Sequence, residues 1–242
     1  MSFRELVSAI SNIIFPPQCL VCAEMLDPQA KSVFCSSCLP KIRFISGSIC
    51  PVCGIAFFNS TAENHICGNC LTARPHFARA RTVASFETVI MDTIHKFKYG
   101  RNVVIGDGLG SFMASFSFPD FDFVEYSLII PVPLNIKKLR ERRFNQSLLL
   151  ARALGKKHRI PVNFSLLKRH KFTLTQTGFN RAEREKNIKG AFIITDKKKI
   201  AGKNIILVDE VYTTGATVNE CSKMLKKCGA KDIAVLTLAR VI

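Results

Sequence analysis

Ile205-Ile206-Leu207-Val208-Asp209-Glu210-Val211-Tyr212-Thr213-Thr214-Gly215-Ala216-Thr217 places four branched apolar residues ahead of two adjacent acids, then small hydroxylated residues around one glycine. A short apolar run bounded by polar residues reads as a buried parallel strand, and Ala216 to Lys227 reads as the helix that follows it. The junction between them then lies at the carboxyl edge of a sheet. There Thr213, Thr214, Gly215, Ala216 and Thr217 turn backbone N–H groups and hydroxyls toward the helix N-terminus, whose partial positive charge favours a phosphate. Asp209 and Glu210 suit two neighbouring hydroxyls of a sugar, and their charge bars them from holding the phosphate itself. The pattern predicts a phosphorylated ribose. A solvated acidic loop and a plain N-cap would explain either part alone, but the unbroken order of strand, acids, hydroxyl loop and helix favours the ligand site. No Gly-Lys-Ser/Thr is present, which excludes a Walker loop.

The stretch resembles the phosphoribosyl pyrophosphate (PRPP) motif of type I phosphoribosyltransferases. In that family the acid pair is usually Asp-Asp, whereas here the second acid is Glu210. The resemblance implies that Asp209 and Glu210 hold the ribose 2′- and 3′-hydroxyls and that residues 213 to 217 hold the 5′-phosphate.

Upstream, four Cys-x-x-Cys pairs recur: Cys19/Cys22, Cys35/Cys38, Cys50/Cys53 and Cys67/Cys70. Each such turn brings two thiolates within reach of one metal, and a second turn a dozen residues on closes a tetrahedral site that suits zinc. Two successive ribbons with two structural zinc ions are expected, with crossed pairing between them left open. Disulfides are the competing reading. Eight regularly paired cysteines without a secretory signal favour metal in a reducing compartment. His65 is expected to be a bystander, and Cys221 and Cys228 to be small buried hydrophobes.

The net charge of +17 is not spread evenly. Residues 137 to 203 hold 20 basic and 4 acidic side chains, a surplus of 16. So confined an excess argues for a polyanionic partner, nucleic acid or a pyrophosphate. Arg140, Arg142 and Arg143, with Lys98 as a further cation, are the candidates for pyrophosphate or a DNA backbone. Phe144, Phe164, Phe172 and Phe179 lie within the same basic segment. Cations interleaved with aromatics can follow a single strand without reading its sequence, although most of these rings fit a core equally well.

The remaining pattern predicts an amphipathic helix over residues 2–14, strands over 80–86, 127–132, 162–167, 191–194 and 232–238, and helices over 87–98 and 147–158. Residues 137–146 read as a basic loop, and 173–187 as a candidate lid. Strands alternating with helices give an α/β, parallel-sheet domain. The expected division is 1–18 as the N-terminal helix, 19–75 as the double ribbon and 76–242 as the α/β domain. No apolar run reaches the roughly 18 residues of a membrane span. The cytoplasm is the expected location, with peripheral attachment at the inner membrane as an alternative for the first helix.

Taken with Phe97-Lys98-Tyr99, Pro131-Val132-Pro133, Phe144-Asn145-Gln146 and Gly190-Ala191-Phe192, the chain resembles the ComF family of phosphoribosyltransferase-like late competence proteins, which commonly has glycine where Arg143 stands. The resemblance implies a type I phosphoribosyltransferase-like domain preceded by a small zinc-ribbon domain with four cysteines to each ion. It also implies a part in natural transformation, handling imported single-stranded DNA. Three readings follow: a Mg²⁺-dependent phosphoribosyltransferase; a PRPP-binding protein whose output is DNA binding; and a zinc scaffold that recruits a DNA-uptake helicase or membrane channel. The size of the basic surplus favours the second, with the third beneath it.

Overall fold

The computed structural model describes residues 16–27, 32–57, 63–100, 103–118, 120–171 and 181–242. The expected helix at 2–14 and the rings of Phe172 and Phe179 lie outside them. In chain order the strands are β1 (Arg79–Ser85), β2 (Leu128–Pro131), β3 (Leu167–Arg169), β4 (Phe192–Ile194), β5 (Asn204–Tyr212) and β6 (Asp232–Arg240). The helices are α1 (Gly68–Thr72), α2 (Thr88–Tyr99), α3 (Val103–Ser115), α4 (Ile136–Arg142), α5 (Gln146–His158), α6 (Arg181–Ile188) and α7 (Ala216–Lys227).

The sheet has the order β1-β6-β5-β2, with every pairing parallel. Alternation along β5 and β6 sends Ile206, Val208, Ala234 and Leu236 into one apolar layer and Ile205, Leu207, Ile233 and Val235 into another. A parallel sheet covered on both faces needs continuous apolar strands, which is why Ile205 to Val208 carry no polar residue. The two cysteine groups divide between these layers. Cys19, Cys35 and Cys38 pack with Phe97, Leu109 and Met113, while Cys50, Cys53 and Cys70 pack with Phe77, Ile130 and Val218.

Between them the chain crosses the β1 edge. Ile45 N–H donates to Val83 O at 3.0 Å, Ser85 N–H to Arg43 O at 2.8 Å, and Ala80 N–H to Val52 O at 2.7 Å. These bonds occupy backbone groups that would otherwise form an open edge. Arg81 is buried between the Asp120 carboxylate and the Pro51 carbonyl, which fastens the same region.

Several expectations are corrected. Within 162–167, Val162 makes a single parallel bridge to Ile129, and the next residue to pair is Leu167 at the far end. The Asn163 side chain accepts from Ser165 N–H at 3.0 Å and Leu166 N–H at 3.2 Å, and this local turn ends the extended run. The strand forms just after this turn as β3, antiparallel to β4 in a separate two-stranded sheet. The expected basic loop contains α4, capped by Asn135 Oδ1 on Lys137 N–H at 2.9 Å. It stops at Arg143, whose φ of 68° is the left-handed conformation in which glycine is at ease.

The pattern also missed α3, because three glycines weaken its helical signature. Two of those glycines let it lie close to α5: a Cβ on Gly110 would come within 2.8 Å of Ala153 Cβ, and one on Gly106 would strike Leu149. Within α7, Cys221 is fully buried, whereas Cys228, at its C-cap, is only half-buried.

Candidate functional site

β5 continues past its apolar run, with Asp209 aligned to Thr237 and Tyr212 to Arg240. The acid pair therefore belongs to the strand rather than to the turn after it. Alternation separates the two side chains only slightly, because both are drawn to Ser147 in the first turn of α5. Ser147 Oγ stands 2.9 Å from Asp209 Oδ1 and 3.0 Å from Glu210 Oε2. One hydroxyl has one proton to donate, so it serves one carboxylate at a time.

Lys98 Nζ from α2 lies 3.3 Å, and Arg142 Nη1 from α4 3.7 Å, from Glu210 Oε1. Burial works to raise Glu210, but the Lys98 charge, the hydrogen bond with Asp209 and the Arg142 charge outweigh it and hold the carboxyl at about 2. Asp209 moves the other way, pushed well above the usual carboxylate range by burial and then by the neighbouring Glu210 charge.

These groups open on a cavity of about 390 Å³ whose wall also carries Lys138, Arg169, Arg184 and Thr217. Lys138 is lowered from its ordinary value by burial and by the charges of Arg142 and Arg169. Five basic side chains thus share the cavity wall with two acids. Lys138 and Arg142 are four residues apart, on one face of α4. Arg140 and Arg143 do not reach the cavity and are exposed on the outside. Farther along, Arg152, Lys156 and Lys157 line a separate groove between α3 and α5. Phe144 packs on Phe97 with centroids 5.7 Å apart, while Phe164 is exposed. Of the candidate lid, 173–180 lie outside the described residues and 181–187 fall in α6.

Thr213 and Thr214 lead from the acids into Gly215, which takes a φ of 79° at the N-cap of α7. Ala216 N–H donates to Thr214 Oγ1 at 3.4 Å. Thr213 borders the acid cavity and a second one of about 340 Å³, which residues 214 to 216 line.

Ser147, Lys138 and Arg169 were not singled out in the sequence. The Asn145-Gln146-Ser147 helix start, in which Asn145 Oδ1 caps Ser147 N–H at 3.1 Å, is the signal that marks Ser147.

The cysteines form two separate groups, Cys19/Cys22/Cys35/Cys38 and Cys50/Cys53/Cys67/Cys70, with the sulfurs of each within 4.8 Å of one another. Pairing is not crossed. Four sulfurs at this spacing fit one tetrahedral ion and leave no open position. Cys67 N–H donates to Cys50 Sγ at 3.4 Å, the kind of bond that steadies a thiolate. His65 belongs to neither group and stacks on Phe57 at 4.0 Å.

Residues 10–71 match the double zinc ribbon domain family, and residues 146–241 the phosphoribosyl transferase domain family. Competence protein F of Haemophilus influenzae is 32% identical over 215 residues, covering 87% of this chain and 92% of that protein. Competence protein ComFC of Bacillus subtilis is 29% identical over 226 residues, 89% and 87% respectively. DNA utilization protein YhgH of Escherichia coli (strain K12) is 29% identical over 218 residues, 86% and 90%. None of the described helices is long and apolar enough to cross a membrane. The similarity to these relatives runs through the ribbons and the phosphoribosyltransferase fold alike, and the chain belongs to the ComF family.

Proposed function

We propose that the protein binds PRPP with Mg²⁺ and handles single-stranded DNA in the cytoplasm during natural transformation, the process that the names of the competence relatives point to. Each four-cysteine group holds one structural zinc. The observation that carries this reading is the convergence of Lys98, Lys138, Arg142, Arg169 and Arg184 with Asp209 and Glu210 on one cavity beside the Thr213–Thr217 bend. A sugar needs the acids, a pyrophosphate needs the cations, and few ligands need both. In this reading Ser147 orients the two carboxylates, which accept the ribose hydroxyls, while bound Mg²⁺ would neutralise pyrophosphate charge that the side chains leave.

Calorimetry with PRPP and Mg²⁺ tests the site, and absence of heat would remove it. Release of pyrophosphate with a panel of nucleobases would instead make the protein a phosphoribosyltransferase, the second reading, which the same acid–cation arrangement serves.

The acids give this binding a pH dependence. Asp209 accepts a ribose hydroxyl as a carboxylate, and its proton is held above the ordinary range, so PRPP affinity should rise as pH increases above the ordinary carboxylate range. In Asp209→Asn the profile should lose that rise. Calorimetric titration across the range checks both.

The exposed cations give a salt dependence. Arg140 and Arg143 are exposed and do not line the acid cavity, so Arg140→Glu with Arg143→Glu should leave PRPP affinity nearly unchanged. The slope of log K against log salt for single-stranded DNA should fall by about two, roughly one per cation. Fluorescence anisotropy at several salt concentrations measures it, and an unaltered slope would place the DNA path elsewhere.

A further inference from the structure

Arg240 ends β6 with its guanidinium buried between the second cysteine group and the end of β5. On one side it donates to the Cys53 carbonyl oxygen and stands 3.7 Å from Cys53 Sγ. On the other its guanidinium carbon lies 4.3 Å over the Tyr212 ring. The Tyr212 hydroxyl in turn occupies the space into which any side chain on Gly215 would project. A continuous buried stack, Cys53–Arg240–Tyr212–Gly215, therefore backs the bend. A second tie runs alongside, where His76 N–H donates to Asn219 Oδ1 at 2.7 Å and joins the segment after the second group to the first turn of α7. Cys53, Cys67 and Cys70 line the same cavity of about 340 Å³ as residues 213 to 216.

The first cysteine group has contacts of a different kind. Around it Lys96 Nζ donates to Val21 O at 2.6 Å, Leu20 packs against Gly108, and Phe34 meets Phe112 with centroids 5.0 Å apart. All of these lead to α2 and α3.

Resting on the reading of residues 213 to 217 as a phosphate loop, we propose that Arg240 and Tyr212 are positioning residues of that loop and that the second four-cysteine centre, not the first, holds them in place. A buried guanidinium is destabilised by each donor left unmet; Arg240 Nε already lacks a partner among the described residues, and the Cys53 carbonyl is the principal acceptor for the rest. The Cys53–Gly54 turn keeps that carbonyl in position when four sulfurs are drawn to one ion, because metal binding and local folding are one equilibrium. Release of the ion frees the turn, the carbonyl leaves Arg240, and the guanidinium must seek another partner. Tyr212 then loses the cation above its ring, and the loop loses its backing.

The test uses the full chain, with hydrogen exchange of peptides spanning residues 212 to 219, PRPP affinity and zinc content read in each variant. Cys67→Ser, which leaves Cys53 in place, and Arg240→Met should each speed exchange in the loop and weaken PRPP by about tenfold or more. Arg240→Met should retain both zinc ions, and Arg240→Lys should recover part of the protection. Cys22→Ser should lower zinc content while leaving loop exchange within about twofold of wild type. Wild-type loop exchange in both Cys67→Ser and Arg240→Met, or an equal acceleration in Cys22→Ser, would overturn the proposal. Exchange is read without ligand. A wild-type protein that binds no PRPP would therefore remove the phosphate-loop reading, while exchange would still decide whether the second centre orders these residues.

Discussion

Asp209→Ala combined with Glu210→Ala will abolish measurable PRPP binding, with a loss on the order of a thousandfold or more. Each carboxylate accepts a charge-assisted hydrogen bond worth roughly 1.5–3 kcal/mol, and the pair supplies the acceptors for both ribose hydroxyls. The same change also takes the carboxylate away from Lys98 and Arg142, whose side chains are only 17% and 12% exposed beside Glu210. Leaving buried cations without their partner costs about 3–5 kcal/mol of stability, so the alanine protein must be shown to be folded at the assay temperature. Asp209→Asn with Glu210→Gln keeps the shapes and is the control.

Urea titration should reveal a further signature of the pair. Glu210, held at about 2 against an ordinary 4.5, contributes stability that is present above 4.5 and disappears as pH falls toward 2. Glu210→Gln should remove that component. Calorimetry reads the first effect and denaturation across pH the second; unchanged PRPP affinity in the double alanine protein would mean that the sugar is held elsewhere.

Stripping both cysteine groups of metal should have the next largest effect, lowering the melting temperature by about 10 °C or more. Structural zinc contributes on the order of 10 kcal/mol to the folding of small cysteine domains, which have little core of their own. Here the ribbons also shield β1. Once residues 43–45 and Val52 let go, the N–H groups of Ala80 and Ser85 and the carbonyl of Val83 are presented to any neighbouring chain. Chelator-treated protein should therefore form oligomers as it loses zinc, a change visible by light scattering. A protein that gives up its metal and remains monomeric with an unaltered melting curve would show that the cysteines do not hold the edge closed.

Much of this arrangement was legible because it is local. The apolar run of β5, the helix from Ala216 and the regular cysteine pairs depend on residues within a few positions of each other. Ser147 was not, since its function arises from meeting Asp209 and Glu210 some sixty residues away across the sheet. The basic segment was legible in amount but not in direction: four-residue spacing on α4 brings Lys138 and Arg142 to the cavity and leaves Arg140 outside. The glycines of α3 argued against a helix when taken alone, and only the neighbouring α5 explains why small residues are needed there. Conversely, the expected strand over 162–167 lost to one Asn163 side chain, a local competitor that hydropathy does not register.

The strand order has a bearing on how the molecule is made. β6 lies inside the sheet, between β1 and β5, although it is synthesised after both. On the ribosome, β1 must wait until residue 240 has emerged before it gains its parallel neighbour, and long-range parallel pairing is slow. During that interval its other flank can already be occupied by the ribbons, whose ligands are close in sequence and leave the exit tunnel ahead of the sheet. Ion capture at the front of the chain would then act as a built-in chaperone, guarding a half-finished sheet until its last strand arrives.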